Sequence, residues 1–196
     1  WQCFDPNTAM CAGTLMLSAA FDVLARIDPN PAKLIRHLHQ RTADLIVGQI
    51  ADLQYEAQRW DVEQYLQIVM GKSGALLALP LELAMIAADR EHALQTATQT
   101  GEAFAIAYQI ADDMADLNED LALGNCNIIA VIQAQDTNVS AQQARQQARL
   151  LAQTHLNQAC EYARQLPEQS GQAFITLCHT LTLSVCTESS TSCEKS

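Results

Sequence analysis

Residues 107–121 read AYQIADDMADLNEDL, and both the fold and the chemistry turn on this stretch. Five acids, Asp112, Asp113, Asp116, Glu119 and Asp120, fall within nine positions, with no lysine or arginine to oppose them. The segment leading in, GEAFAIAYQIA, is apolar or small almost throughout, so a helix entering the cluster should be buried. On that helix Asp112 and Asp116 stand four apart and Asp113 and Asp116 three apart, which places their carboxylates on one face. Gln109 lies one turn before Asp112 on the same side. Like charges at this spacing repel, and the run sits toward a helix C-terminus, where the macrodipole already disfavours negative charge. Two readings stand. The acids form a solvated face, or they share a hard dication, and magnesium held by one or two carboxylates plus phosphate oxygens suits the second.

Outward from this stretch the chain reads as all-α. Alanine, leucine and glutamine dominate, there are only seven glycines and five prolines, and apolar residues recur at three and four. A first helix covers about 8 to 27, and Pro31 opens a second that runs to about 58. A short helix from about 61 to 70 is expected to stop at Gly71. KSGALLALPLELAMIAAD (72–89) is apolar on nearly every side and belongs in the bundle interior, with a kink or break at Pro80. The fifth helix spans about 91 to 122 and carries the acids, LGNCN breaks it, and a short segment reaches Ala134. Ser140 with Gln143 forms a capping box for a helix to Leu166, and a last helix covers about 170 to 186. Residues 1–186 thus read as a single helical domain and 187–196 as a polar tail.

With 196 residues and nearly half of them apolar, the chain can bury a core. A formal net charge of -11 argues against nucleic acid or an anionic membrane as partner. No uninterrupted apolar run appears long enough to span a bilayer and no basic-then-apolar leader opens the chain, so a cytoplasmic location is expected. Seven cysteines without a CxxC pair read as small buried hydrophobes, with zinc or a disulfide as the alternative. Lys72 is the one lysine between positions 34 and 194, and it follows Gly71 at the start of the apolar helix.

KSGALLALP, then Gly101 and Glu102, then AYQIADDMADLNED come in an order that resembles the polyprenyl synthetase family of trans-isoprenyl diphosphate synthases. That family shows a Lys-Thr-Gly-like element followed by Phe-Gln-hydrophobic-x-Asp-Asp-x-x-Asp. CAGTLMLSAAFDVLA is similar to its Ala-Gly-Asp helix, and VGQIADLQYEA to its Gly-Gln-x-x-Asp-Leu stretch through Gly48, Gln49, Asp52 and Leu53. The resemblance covers about residues 9 to 134. It implies an isoprenoid-synthase helical bundle around a central cavity, homodimeric or paired with a related synthase. The implied reaction condenses isopentenyl diphosphate with an allylic diphosphate, using Mg2+. By position, Asp112, Asp113 and Asp116 would hold magnesium, Lys72 would contact the allylic diphosphate, Ser73 would lie beside it, and Gln109 would sit near the reacting end.

Departures accompany the match. The family's first aspartate cluster is not in WQCFDPNTAM, which contains one acid, Asp5. Thr14 stands where the family has Asp, and Asn125 follows Gly124 where it has Lys. The chain therefore reads as the C-terminal part of a longer polypeptide or as a short degenerate relative, and the leading Trp favours the first. A non-catalytic subunit that pairs with an active synthase is the alternative function. A terpene cyclase would show Asn/Asp-Asp-x-x-Ser/Thr-x-x-x-Glu, and this sequence lacks it.

Overall fold

The computed structural model describes residues 5–54 and 60–187, and no strand occurs among them. In chain order the helices are α1 (Pro6–Ala25), α2 (Pro31–Leu53), α3 (Val62–Val69), α4 (Ala75–Ala87), α5 (Leu94–Leu123), α6 (Ile128–Gln135), α7 (Ala141–Gln165) and α8 (Gln172–Thr187). The all-α expectation holds, and most boundaries lie within a few residues of it. The tail after Thr187 and the stretch 55–59, into which the second helix was expected to run, lie outside the described residues.

Local chemistry sets the helix ends. The Asp5 carboxylate accepts from the Asn7 and Thr8 amides at 3.0 and 3.1 Å, with Pro6 in the first turn. Reciprocal capping boxes start α3 through Asp61 and Gln64, and α7 through Ser140 and Gln143. Helix α5 ends at Gly124, whose φ of 75° is the left-handed conformation that glycine adopts without strain.

Three expectations need correction. The third helix does not stop at Gly71, because Met70–Gly74 forms a single π turn that joins α3 to α4. Of the kink or break expected at Pro80, the break does not occur: Pro80 and Leu76, one turn earlier, both lie on the exposed side, where a carbonyl left without its N–H partner is open to solvent. Nor is α4 interior all round, since Leu76 and Ala84 are exposed while Ala78, Leu81, Met85 and Ile86 are buried. As one continuous helix, Val62–Ala87 is long and apolar enough to cross a membrane by length and composition, and so is α1. Neither is an uninterrupted apolar run, since Lys72 and Glu82 lie within the first and Asp22 within the second, and the core helix of a bundle passes the same test. The first owes its length to the π turn, which carries the helix through Gly71.

Helix α5 is the axis of the bundle. It packs against α4 on one side and α7 on the other, with α6 and α8 closing its C-terminal half. The main core gathers around Phe104, Ile110, Met114, Ile129 and Leu156, and a smaller one joins α1, α2 and α4 through Leu24, Leu34, Leu38 and Ile86. Two glycines let backbones touch. A Cβ on Gly101 would lie 2.2 Å from the Ala78 Cα, and one on Gly48 would lie 2.5 Å from the Lys72 amide nitrogen. The first contact seats α5 on α4, and the second presses α2 onto the π turn that carries Lys72. Cys160 and Cys178 are buried as expected, whereas Cys11 is exposed, and these three are free thiols, as is Cys126.

Candidate functional site

A cavity of about 380 Å³ opens between the end of α2, helix α3, the π turn and the acidic end of α5, and the turn before α6 forms its far edge. Lys72 and Gln109 line it, as do Asp112 and Asp113, so four of the six residues singled out from sequence meet in one hollow. Ser73 lies behind them, its hydroxyl 3.4 Å from the Gln109 carbonyl oxygen. Asp116 is exposed and is not part of the wall. Thr14 is also remote, with its hydroxyl donating to the Met10 carbonyl at 3.0 Å on the exposed helix α1.

The π turn gives Lys72 its position. Widening the helix by one residue rotates the lysine off the face shared with α4, and the close approach of Gly48 brings α2 alongside. Asp52, one turn beyond Gly48, then accepts a charge-assisted hydrogen bond from the Lys72 ammonium at 2.7 Å. The cation is held at the wall and still lines the cavity.

The aspartates occupy three different environments. Asp112 sits on the exposed rim, yet its carboxyl is raised above the ordinary range by partial burial and then by the charges of Asp116 and Asp120, with Lys72 opposing. Asp113 is only 2 % exposed. Its Oδ2 accepts from the Tyr65 hydroxyl at 2.9 Å and from the Ile128 amide at 2.7 Å, and its Oδ1 accepts from the Gln109 side-chain amide at 2.9 Å. Burial pushes this carboxyl up to about 6, although those three hydrogen bonds each pull the other way. The fourth acid on the wall, Asp120, accepts from Asn127 at 2.8 Å and from Asn125 at 3.3 Å. Asn125, where sequence reasoning noted a missing lysine, therefore gives that acid a neutral partner.

Tyr65 and Asn127 were not foreseen. Asn127 is fully buried: its side-chain amide donates to the Asp113 carbonyl at 2.7 Å, and its oxygen accepts from the Ile129 amide at 3.0 Å as the cap of α6. An asparagine before an apolar run does mark a helix start. Nothing in the sequence signals the link from Tyr65 to an aspartate 48 residues away.

The donor set fits a hard dication that completes its shell elsewhere. Among the described residues no three His, Cys, Asp or Glu groups are gathered closely enough to hold an ion alone. Asp112 nevertheless carries like charges on its own face that Lys72 offsets only in part. Two carboxylates one helical turn apart, joined by phosphate oxygens from a ligand, make the usual kind of magnesium site.

Comparison with known proteins bears on the family and the fold. The family model for polyprenyl synthetases matches residues 1–166. A (2E,6E)-farnesyl diphosphate synthase of Mycobacterium tuberculosis is 32% identical over 118 residues, covering 58% of this chain and 33% of its own length. The farnesyl diphosphate synthase of Haemophilus influenzae is 33% identical over 129 residues, covering 61% of this chain and 43% of its own. The chain thus spans between a third and a half of the length of these relatives. Among solved structures, a geranylgeranyl pyrophosphate synthetase from Geoglobus acetivorans superposes with a TM-score of 0.79 at 21% identity, over 92% of this chain and 68% of that one. At that identity the match shows a shared fold.

Proposed function

The chain belongs to the polyprenyl synthetase family, and from that membership we propose that it forms the diphosphate-holding side of a trans-prenyl diphosphate synthase. The reaction would condense isopentenyl diphosphate with an allylic diphosphate. One observation carries the proposal: Lys72, pinned by Asp52, shares a single cavity with Gln109 and the Asp112 rim.

Ionising an allylic diphosphate leaves a carbocation and an anionic leaving group, so a site must stabilise the second and shield the first from water. The Lys72 ammonium would donate to diphosphate oxygens without first having to be ordered, because Asp52 already fixes it. Asp112 and Asp116 would hold Mg2+, whose contribution is Lewis-acid stabilisation of the departing diphosphate. Gln109, held by Asp113 and approached by Ser73, would present its amide to the reacting end. Ile68, Val69 and Leu53 add apolar wall that keeps water from the cation. Met10, Leu15, Met16 and Val23 on α1, with Ile46, Val47 and Ile50 on α2, remain exposed. Apolar residues in such number support pairing with a second copy or a related synthase.

The alternative, a non-catalytic subunit that modulates an active synthase, draws support from charge. Among the described residues Lys72 is the single cationic side chain on the cavity wall. Incubating the protein with labelled isopentenyl diphosphate, allylic diphosphates of graded length and Mg2+, beside an Asp112→Ala/Asp116→Ala variant, separates the two. Prenyl products from the parent and none from the variant support the synthase. Absence of product with every allylic substrate supports the subunit, and equal product from both proteins removes the assigned role of the aspartates.

A further inference from the structure

The three aspartates of the motif do not do the same work. Asp112 and Asp116 are exposed and accept no hydrogen bond from any described residue. Three of the four lone-pair positions on Asp113 are occupied, by donors from three different elements: Tyr65 on α3, Gln109 on α5 and the first amide of α6. The Ile128 amide is one of the unpaired donors at that helix start, so the carboxylate also meets the positive end of the α6 dipole. Asn127 adds a second tie between the same partners by bonding both the Asp113 carbonyl and the Asp120 carboxylate. One buried carboxylate therefore fastens α3, the acidic turn of α5 and the Gly124–Asn127 turn, and all three border the cavity.

We propose that Asp113 is a positioning residue rather than a metal ligand, and that Tyr65 acts through it. Their hydrogen bond sets the rotation of α5 that presents the free carboxylates of Asp112 and Asp116 to a magnesium–diphosphate ligand. The inference rests on the functional reading above and narrows it, since the sequence pattern alone would give all three aspartates one role. The geometry carries the distinction. A side chain 2 % exposed and saturated on one oxygen has little left for a hydrated dication, which binds through carboxylates open to its water shell. The partners that orient metal-site carboxylates are nearly as sensitive to substitution as the ligands, typically about 10- to 100-fold in affinity.

The test is calorimetric titration with Mg2+ and inorganic pyrophosphate as probe. Trp60 fluorescence, read in a Trp1→Phe background, gives a second signal from the cavity wall. Asp112→Asn removes a ligand charge and should weaken binding at least about tenfold. Asp113→Asn should stay within about threefold, because its amide oxygen still accepts from Tyr65 and Ile128 and its NH2 meets a flipped Gln109 carbonyl. Tyr65→Phe should weaken binding about three- to tenfold. In the Asp113→Ala background the same change should add nothing, which is the signature of two residues acting as one unit. Measurements are made at a temperature where thermal melts show each variant folded. If Asp113→Ala fails to fold, the isosteric Asp113→Asn and Tyr65→Phe still decide. Asp113→Asn as damaging as Asp112→Asn would make Asp113 a ligand and overturn the inference, and so would unaltered binding in Tyr65→Phe. Wild-type binding in Asp112→Asn would instead remove the functional reading beneath it.

Discussion

Replacing Glu82 by glutamine probes how the scaffold under the site is held. Glu82 lies on α4 with its side chain fully buried, and it receives the Arg41 guanidinium through two nitrogens, His37 at 2.7 Å and the Thr98 hydroxyl. Burial alone would raise this carboxyl, but the hydrogen bonds from Arg41, His37 and Thr98 hold it down at about 2 against an ordinary 4.5. That difference, at 1.36 kcal/mol per pH unit, amounts to about 3 kcal/mol of stability. Because the folded-state value is depressed, the contribution is present above pH 4.5 and is lost as pH falls toward 2. Glu82→Gln should therefore lower the urea-unfolding free energy at pH 7 by about 3 kcal/mol and the melting temperature by about 10 °C. At pH 3 the gap should have shrunk by about half, and it should close only below pH 2. Arg41→Met/Glu82→Leu, which removes both charges, should cost less than either single change, because neither leaves a buried ion alone. A Glu82→Gln protein within about 0.5 kcal/mol of the parent at pH 7, or a deficit that does not shrink with acid, would refute the reasoning.

Other outcomes follow from the same structure. The Asp113 carboxyl, raised to about 6, has the opposite linkage: its contribution is present below pH 4 and is lost as pH rises through 6. In metal-free buffer Asp113→Asn should therefore gain stability relative to the parent between pH 4 and 7, by up to about 3 kcal/mol, as read from urea midpoints. Gly101→Ala would push a methyl into the Ala78 backbone and should destabilise by about 3 kcal/mol, the upper end of overpacking. Gly13→Ala, on open α1 with nothing within 4 Å, should be neutral or stabilising by up to about 1 kcal/mol. Lys72→Ala should weaken magnesium–pyrophosphate binding about tenfold or more by calorimetry. Lys33→Ala, which breaks an exposed pair with Glu91, should leave that binding unchanged.

The helices were legible because their signals are local. Spacing at three and four, the Ser140 cap and the LGNCN break after Ala122 each act within a turn or two. The π turn was not legible. Glycine at 71 is an ordinary stop signal, and only packing against Gly48 carries the helix through it. At Pro80 the choice between a break and a continuing helix was likewise not legible, since whether a missing N–H breaks a helix depends on whether the vacated carbonyl faces water or core.

The sequence by itself determined that one helix delivers three aspartates and a glutamine to one region, and that Lys72 precedes the helix packed beside it. Helical geometry fixes those spacings whatever the rest of the chain does. Tertiary structure decided which carboxylate turns inward to meet Tyr65 and the start of α6, which stay free, and how Asp52 captures Lys72. The rotation of α5 about its own axis is set by contacts such as Gly101 on Ala78 and Asp113 on Tyr65, between residues far apart in the chain. A repeat of 3.6 residues fixes relative angles along a helix and leaves its absolute orientation to what it packs against.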